Sequence, residues 1–486
     1  MTEYERKRLE NIQRNLDFMR SMGVSTAKIA ARTAASVPVS LRKTILGTQQ
    51  GISTKRKPSD KLVVPQRKSR RLQGKLADER MMKNDKLELT ADEMQFIKQE
   101  TPARFGAHLA AEALNVDGSQ GQQFLASIVG GEEEREEDLR VDAQGVDVMD
   151  YSLQSSDIVK AVEERIYAIA FHPRRDRVVV ACGDKRGNLA LWNADAPDSD
   201  DSVVAMYRPH TLPTTQLHFQ PGDATKLLSA SFDGTVRQLD LQAAQFTELF
   251  ATDDHAGITS MALGTQPGVV LASGDDGHVW TIDTRQAPAT HTAYEVHEKK
   301  VQTVHQHPLI DFCFATASLD RTVCLWDMRR LKKTKNTPLV TMPHHRSVNC
   351  AYFSPSGDHL VTVGQDDYIH VYNTKDASHL DTKDVQPTLR IPHNNQTGRW
   401  LTKLHAAWDP KRPDEYVIGC MQQPRRLQIF KATRKSPIQE LRSEYFASVH
   451  SINVFHPTLP LIAGGNSSGR MCLFRGVKKE VAVKDE

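Results

Sequence analysis

From residue 160 onward, apolar and polar residues alternate over short segments that turns separate. A period of two predicts β-strands that bury one face. Seven of these segments follow a turn and end in an aromatic or large apolar residue, which indicates an internal repeat. The segments are GNLALW (187–192), GTVRQL (234–239), GHVWTI (277–282), RTVCLW (321–326), DYIHVY (367–372), RRLQIF (425–430) and GRMCLF (469–474).

The spacing of the repeats predicts the fold. Their end residues lie 47, 43, 44, 46, 58 and 44 residues apart. An earlier strand of most repeats ends at a Pro-containing turn, as in FHP (171–173) and FSP (353–355). A period of about 40–45 residues is typical of WD repeats, which have four strands per blade. We therefore predict an all-β protein, a seven-bladed WD-repeat β-propeller over residues 160–486. The interval of 58 indicates an insertion of about 14 residues in the sixth unit, and departures from a repeat often carry function.

The charge distribution divides the rest of the chain. Residues 1–75 hold 18 Lys and Arg against 5 Asp and Glu, a net of +13. Residues 76–159 hold 7 against 19, a net of −12, whereas residues 160–486 hold 38 against 36, a net of +2. A basic arm and an acidic segment beside a nearly neutral body indicate an interaction tail, for which nucleic acid is the leading partner.

We predict that a largely disordered, partly helical extension precedes the propeller. Residues 1–24 are predicted to form a helix, either a surface helix or one that docks a partner, because Leu9, Ile12 and Leu16 recur at helical spacing. Residues 25–75 are predicted to be a basic disordered arm, and residues 76–159 an acidic linker that is helical in parts, including HLAAEALNV (108–116).

Two basic clusters in the arm predict nuclear import. They are nine residues apart and resemble a bipartite nuclear localisation signal. A solvated charge run is the alternative interpretation. The clusters consist of Lys55, Arg56, Lys57, Arg67, Lys68, Arg70 and Arg71.

Several function classes are excluded by what the sequence lacks. No apolar run approaches the ~18 residues of a membrane helix, and the N-terminus has no apolar signal core. Six cysteines without a CxxC pair indicate buried free thiols in a reducing compartment. Because no paired carboxylates, Gly-rich phosphate loop or metal-spaced cluster is present, we predict no enzymatic activity, cofactor, metal or small-molecule substrate.

Some histidines have a structural explanation. His297, Ser318, Asp320 and Trp326 occupy the positions at which a WD repeat places a buried hydrogen-bond chain, so we do not interpret them as a catalytic triad. The adjacent His344 and His345 are not a metal pair, because neighbouring residues on a strand point to opposite faces.

One rim of the predicted propeller collects basic residues from at least six blades. Cations that converge beside an aromatic side chain could bind a phosphate backbone while the ring stacks on a base. The alternative interpretation is that these residues are ordinary surface charge. Trp400, in the insertion of the sixth unit, is either core packing or a wedge that opens a weakened base step. The candidate DNA-binding residues are Arg165, Lys185, Lys299, Lys300, Arg346, Arg399, Trp400 and Arg425.

The chain resembles the fungal DNA damage-binding WD-repeat proteins of the "changed mutation rate" type. These group with animal WD-repeat protein 76 and the small subunit of the ultraviolet-damaged-DNA-binding complex. The resemblance covers nearly the whole length. It is carried by ERKRLENIQRNLDF (5–18), PQRKSRRL (65–72), ATASLDRTVCLWDMR (315–329), TGRWLT (397–402) and AAW (406–408).

The resemblance implies a nuclear, non-enzymatic protein of the DNA damage response. It would bind single- and double-stranded DNA and prefer damaged, ultraviolet-type DNA. In the damage-binding subunit a hairpin at the position of residues 398–400 enters the minor groove, and basic residues matching Arg165, Lys185 and Lys299 or Lys300 approach the backbone. Gly-Arg-Trp replaces Phe-Gln-His here, so the resemblance leaves lesion selectivity open.

Two alternative functions are weighed against DNA binding. The protein would be a substrate receptor of a cullin-4 ubiquitin ligase, or a scaffold that binds histones or other chromatin proteins. The family docks the cullin-4 adaptor through a Trp-Asp-x-Arg element, which Trp326, Asp327 and Arg329 match. Asp283 and Arg285 match it in part.

Overall fold

A computed structural model describes residues 103–130, 149–196, 203–253, 255–285, 289–375 and 385–478. The predicted helix over residues 1–24, the basic arm over residues 25–75 and its localisation signal lie outside the described residues. Within the described residues, no helix has both the length and the apolar character needed to cross a membrane.

Among the described residues, three strands and one α-helix precede the first complete blade. They are β1 (His108–Ala110), α1 (Gly118–Val129), β2 (Met149–Ser152) and β3 (Ile158–Lys160). A 3-10 turn over Ser155–Asp157 separates β2 from β3.

Seven antiparallel sheets follow in chain order, so the predicted seven-bladed β-propeller is confirmed. Blade 1 contains β4 (Ile166–Phe171), β5 (Val179–Asp184), β6 (Leu189–Asn193) and β7 (Val204–Tyr207). Blade 2 contains β8 (Thr214–Gln220), β9 (Asp223–Ser231), β10 (Thr235–Asp240) and β11 (Gln245–Ala251). Blade 3 contains β12 (Ile258–Leu263), β13 (Val269–Gly274), β14 (His278–Asp283) and β15 (Thr290–Glu295).

The remaining four blades complete the ring. Blade 4 contains β16 (Val301–Gln306), β17 (Cys313–Ser318), β18 (Thr322–Asp327), a 3-10 turn (Met328–Arg330) and β19 (Val340–Pro343). Blade 5 contains β20 (Val348–Phe353), β21 (His359–Gly364), β22 (Tyr368–Asn373) and β23 (Leu389–Pro392). Blade 6 contains β24 (Ala407–Asp409), β25 (Arg412–Cys420), β26 (Arg426–Lys431) and β27 (Gln439–Leu441). Blade 7 contains β28 (His450–Phe455), β29 (Leu461–Asn466) and β30 (Arg470–Lys478).

The second strand of each blade forms the centre of the packed ring. Every residue of β5, β17 and β29 is buried, because each of these strands packs against neighbouring blades on both faces. All six cysteines are buried and free, as predicted, and five of them lie on second or third strands: Cys182, Cys313, Cys324, Cys420 and Cys472.

The ring is closed by strands from the segment that the sequence analysis assigned to the linker. β3 pairs with the start of β30 and β2 with its end, both antiparallel. The outer edge of blade 7 is therefore built by residues that precede blade 1, and the propeller begins N-terminal of the boundary predicted at residue 160. Closure of this kind completes the last blade and leaves only short strand edges at its periphery.

The segment over residues 103–130 packs on blades 1 and 2. The predicted helix at HLAAEALNV does not form there, because β1 pairs with the outer strand β11 instead. The helix is α1, whose Phe124, Leu125 and Ile128 are buried in the core cluster of blades 1 and 2. Its two glycines lower the helical propensity of the segment, so the sequence pattern missed it.

The predicted hydrogen-bond chain of blade 4 is present with one correction. His297 bonds to Asp320 (Nδ1–Oδ2 2.6 Å) and to Thr316 (Nε2–Oγ1 2.7 Å), and the Trp326 indole donates to the same Thr316 oxygen (2.8 Å). Ser318 instead donates to the backbone carbonyls of the turn before β16. The hydroxyl of the chain is thus that of Thr316, which lies two residues before Ser318 on β17.

Candidate nucleic-acid interface

One edge of the propeller is formed by the turns that enter the first strand of each blade and those that join its second and third strands. In an antiparallel sheet these turns share one edge, which we call the rim. All eight candidate DNA-binding residues lie on it. The strand bounds alone place these residues on the rim, whereas their accessibility depends on how each side chain packs.

The insertion of the sixth unit is residues 393–406, between β23 and β24. We call it the crossing loop. Its first part is anchored on the β21–β22 turn of blade 5. The Asn395 side chain is buried and donates to the carbonyls of Gly364 (2.8 Å) and Tyr368 (3.1 Å), while its backbone N–H donates to Asp367 (2.9 Å).

The second part of the crossing loop contacts blade 1. The Thr402 hydroxyl donates to the carbonyl of Ile166 (2.7 Å), and the Arg165 guanidinium donates to the carbonyl of Arg399 (2.8 Å). Thr397 and Thr402 are both buried. The loop is therefore held on both sides of residues 398–400, which are exposed and form its tip.

The tip presents an aromatic ring to solvent. Trp400 is 75% exposed, so the structure excludes the interpretation of Trp400 as core packing. Gly398 adopts φ +62°, the left-handed region that favours glycine, and reverses the chain at the tip. The Arg399 guanidinium lies over the Trp400 ring, 5.0 Å from its centroid. A stacking surface and a cation thus occupy adjacent positions.

The other rim cations differ in how accessible they are. Lys185, Lys299 and Arg346 are exposed, and none of the three forms an ion pair with a described residue. Lys300 is half-buried with its ammonium over the Phe232 ring (4.5 Å), and burial lowers the pKa of Lys300. Arg425 donates to the Met421 carbonyl of its own turn. Lys300 and Arg425 are therefore less accessible to a ligand than the sequence analysis assumed.

Lys403 belongs to the same surface and was missed by the sequence analysis. Its ammonium donates to the carbonyl of Gly398 (3.5 Å) in the tip. Burial lowers the pKa of Lys403, and the positive charge of Arg165 lowers it further. The Arg165 Nε is buried without a hydrogen-bond partner among the described residues. Two neighbouring cations without a described carboxylate partner form a site that an anion would stabilise.

The opposite edge carries the predicted adaptor-docking element. Trp326 and Asp327 are buried, and Asp327 accepts two hydrogen bonds from the exposed Arg329 (Nε 3.0 Å, Nη2 2.9 Å). Arg329 also lies over the Phe312 ring (3.4 Å). Asp283 and Arg285 form the same kind of pair on blade 3 (Nε 2.9 Å). Docking of a cullin-4 adaptor, like histone binding, stays a prediction.

The turns of blade 5 gather a set of side chains that the sequence analysis did not anticipate. One ligand atom from each of His344, Asp366 and His370 lies within 4.8 Å of the other two. Burial lowers the pKa of His344 to about 3 and that of His370 to about 4. The sequence analysis placed His344 and His345 on a strand, but both lie in the turn before β20, where His344 is buried and His345 is exposed. It predicted no metal-spaced cluster because it considered spacing along the chain alone.

Comparisons with known proteins agree with this architecture. A family model described as "WD domain, G-beta repeat" matches residues 289–327 and 336–373. WD repeat-containing protein 76 of Xenopus laevis is 36% identical over 66% of this chain, which spans 55% of that protein. The protein of the same name from Rhinolophus ferrumequinum is 30% identical over 98% of this chain and 74% of its own. DNA damage-binding protein cmr1 of Neurospora crassa is 29% identical over 98% of both chains.

Proposed function

Because the chain belongs to the family of WD repeat-containing protein 76 and the fungal DNA damage-binding proteins CMR1, we propose that it is a nuclear protein that binds DNA through the rim and prefers damaged DNA. The observation that carries the proposal is the exposed Trp400, held by a loop that is anchored on both sides and placed beside Arg165 and Lys403.

The rim cations supply the attraction that does not depend on sequence or damage. Each phosphate that a Lys or Arg neutralises releases condensed counterions, so binding weakens steeply with salt. Lys185, Lys299 and Arg346 are accessible and free of ion pairs with described residues, unlike Arg186, which pairs with Glu163 (3.4 Å) and Glu164 (3.3 Å). The accessible cations position the nucleic acid without selecting damage.

Trp400 supplies the preference for damage. An apolar wedge that enters a base step unstacks it at a cost of a few kcal/mol, and this cost is lowest where pairing is already weakened. The crossing loop keeps the wedge in place because Asn395 and Thr402 are buried and form hydrogen bonds on either side of the tip. A damaged, ultraviolet-type duplex therefore accepts Trp400 more readily than an intact one. The same exposed ring would stack on the bases of single-stranded DNA.

Removing two accessible rim cations should weaken binding to all duplexes alike. We expect the double variant Lys185→Ala and Lys299→Ala to lower the slope of log K against log salt by about 0.9 for each lost contact. Titrations of fluorescent duplexes at several salt concentrations measure this slope. The matched control is Lys332→Ala with Lys333→Ala, two exposed lysines on the opposite edge. A double variant with an unchanged slope, or one that loses affinity for damaged DNA only, would contradict the assignment of these lysines to phosphates.

Nuclear location rests on the basic clusters at residues 55–57 and 67–71. We expect replacement of Arg67, Lys68, Arg70 and Arg71 by Ala to leave a fluorescent fusion largely cytoplasmic, because an import receptor would lose half of a bipartite signal. Microscopy of the fusion against the unaltered chain measures the nuclear fraction. Replacement of Lys7 and Arg8, which lie outside both clusters, is the control. Nuclear accumulation that is unchanged in the four-residue variant would refute the import signal.

A further inference from the structure

In blades 2 and 4 the histidine that precedes the first strand bonds to the aspartate carboxylate of the turn between the second and third strands. Asp233 bonds to His210 in blade 2 (3.2 Å), and Asp320 bonds to His297 in blade 4 (2.6 Å). Each histidine meets a hydroxyl with its other ring nitrogen, Ser229 in the first case (2.8 Å). The histidine of such a blade has both nitrogens occupied and no capacity for a metal.

Blade 5 departs from this arrangement. His344 faces the hydroxyls of Thr362 and Tyr372 with Nε2, both at 3.4 Å, but its Nδ1 faces the Nδ1 of His370 at 3.1 Å. Both carboxylate oxygens of Asp366, which occupies the place of Asp233 and Asp320, are buried and have no hydrogen-bond partner among the described residues. A buried carboxylate without a donor or cation is costly.

The geometry points to a zinc-type metal site formed by His344 Nδ1, His370 Nδ1 and a carboxylate oxygen of Asp366. Two imidazoles and one carboxylate are a ligand set of Zn²⁺ sites that keep an open fourth position. Two nitrogens bound to one tetrahedral Zn²⁺ at about 2.0–2.1 Å lie roughly 3.4 Å apart, close to the separation of the two Nδ1 atoms. A hydrogen bond between the two imidazoles would explain their approach but would leave Asp366 unpaired.

The chain supplies this site where blade 5 departs from the repeat of its own sequence. His370 lies on β22, four residues after Asp366, at the place that Arg237 occupies in blade 2 and Cys324 in blade 4. A bound cation would hold Asp366 beside Asp367, the residue that anchors the crossing loop through Asn395. Metal binding at this site does not depend on DNA binding, because the metal-ligating residues and the experiment that tests them are separate from those of the rim cations.

Zinc titration of the full chain tests the site. We expect calorimetry to show one Zn²⁺ bound per chain. His370→Ala and Asp366→Asn should each lose this binding. Affinity should fall at least about tenfold in each, since even an outer-shell partner is worth 10–100-fold in a metal site. His345→Ala, an exposed neighbour, should bind like the unaltered chain. Co²⁺ in place of Zn²⁺ should give a visible absorption band in the unaltered chain that His370→Ala loses.

Two results would overturn the site. One is an unaltered chain that binds no stoichiometric Zn²⁺, and the other is equal binding by both ligand variants and the unaltered chain. Circular dichroism shows whether each variant is folded. Asp366→Asn keeps the shape of a side chain that has no described hydrogen-bond partner, so it tests the site even if His370→Ala does not fold.

Discussion

Trp400→Ala should weaken binding to damaged duplex by about 1–3 kcal/mol, the cost of one lost base-stacking contact, which corresponds to about 5- to 150-fold in Kd. It should cost little on intact duplex, where the ring does not enter the stack. The slope of log K against log salt should stay the same, because no cation is removed. The melting temperature should also stay the same, because the ring is 75% exposed. Competition titrations on matched duplexes measure the loss.

Leu309→Ala is the matched control for this variant. Leu309 is also 75% exposed, and it lies in the β16–β17 turn on the opposite edge. Both substitutions remove an exposed apolar side chain, but only Trp400 faces the proposed ligand. Equal effects of Trp400→Ala on damaged and intact duplex, or a sharp fall in its melting temperature, would refute the wedge.

Asp233→Ala should lower the free energy of unfolding by about 3 kcal/mol, because buried donors left without an acceptor cost about 1–3 kcal/mol. The Asp233 carboxylate is buried and accepts from His210 (3.2 Å), from Thr211 N–H (3.1 Å) and from the N–H and hydroxyl of Thr235 (3.0 and 2.6 Å). These bonds tie the β9–β10 turn of blade 2 to the turn that enters β8. Urea unfolding followed by circular dichroism measures the shift in midpoint.

The effect of Asp233→Ala should depend on pH. Burial would raise the pKa of Asp233, but the hydrogen bonds and charge of His210 and the donors of Thr235 and Thr211 outweigh it and hold this pKa well below its usual value. A carboxylate with a depressed folded pKa stabilises the fold above the unfolded pKa of about 3.9, and this stabilisation is lost as the pH falls. The difference between the unaltered chain and the variant should therefore narrow in acid.

Asp276→Ala is the control, because Asp276 occupies the same turn position in blade 3 but is exposed and bonds only locally, to His278. Its substitution should change stability by no more than about 0.5 kcal/mol. If both variants lost the same stability, the buried hydrogen bonds of Asp233 would not be the cause.

The propeller could be predicted because apolar and polar residues alternate within each strand and because the blades recur at a regular spacing. Both patterns are visible in the order of residues along the chain. The rim position of Lys185 and Trp400 followed from the same strand bounds. The neighbourhood of Lys403 could not be predicted, because it depends on Arg399 and Thr402 contacting Arg165 and Ile166 of blade 1, more than 230 residues earlier in the sequence. The same is true of β2 and β3, which pair with β30 at the far end of the chain.

Local propensity misled the sequence analysis where tertiary pairing decided the structure. Residues 108–110 became a strand because β11 offered an unpaired edge, whereas α1 formed despite its glycines because Phe124 and Ile128 fill the core of blades 1 and 2. The metal-type cluster escaped the search for ligand spacing because His344, in the turn before β20, and His370, on β22, are 26 residues apart in the sequence and meet only in the folded blade.

A binding titration of the full chain on matched damaged and intact duplexes, repeated at several salt concentrations, tests the central claim most directly. Attraction by rim cations together with a wedge predicts two results. Both duplexes should show a steep negative salt slope of similar size, and the damaged duplex should bind more tightly by a factor that stays constant across the salt series. Equal affinity for the two duplexes at every salt concentration, or binding that does not respond to salt, would contradict the proposed function.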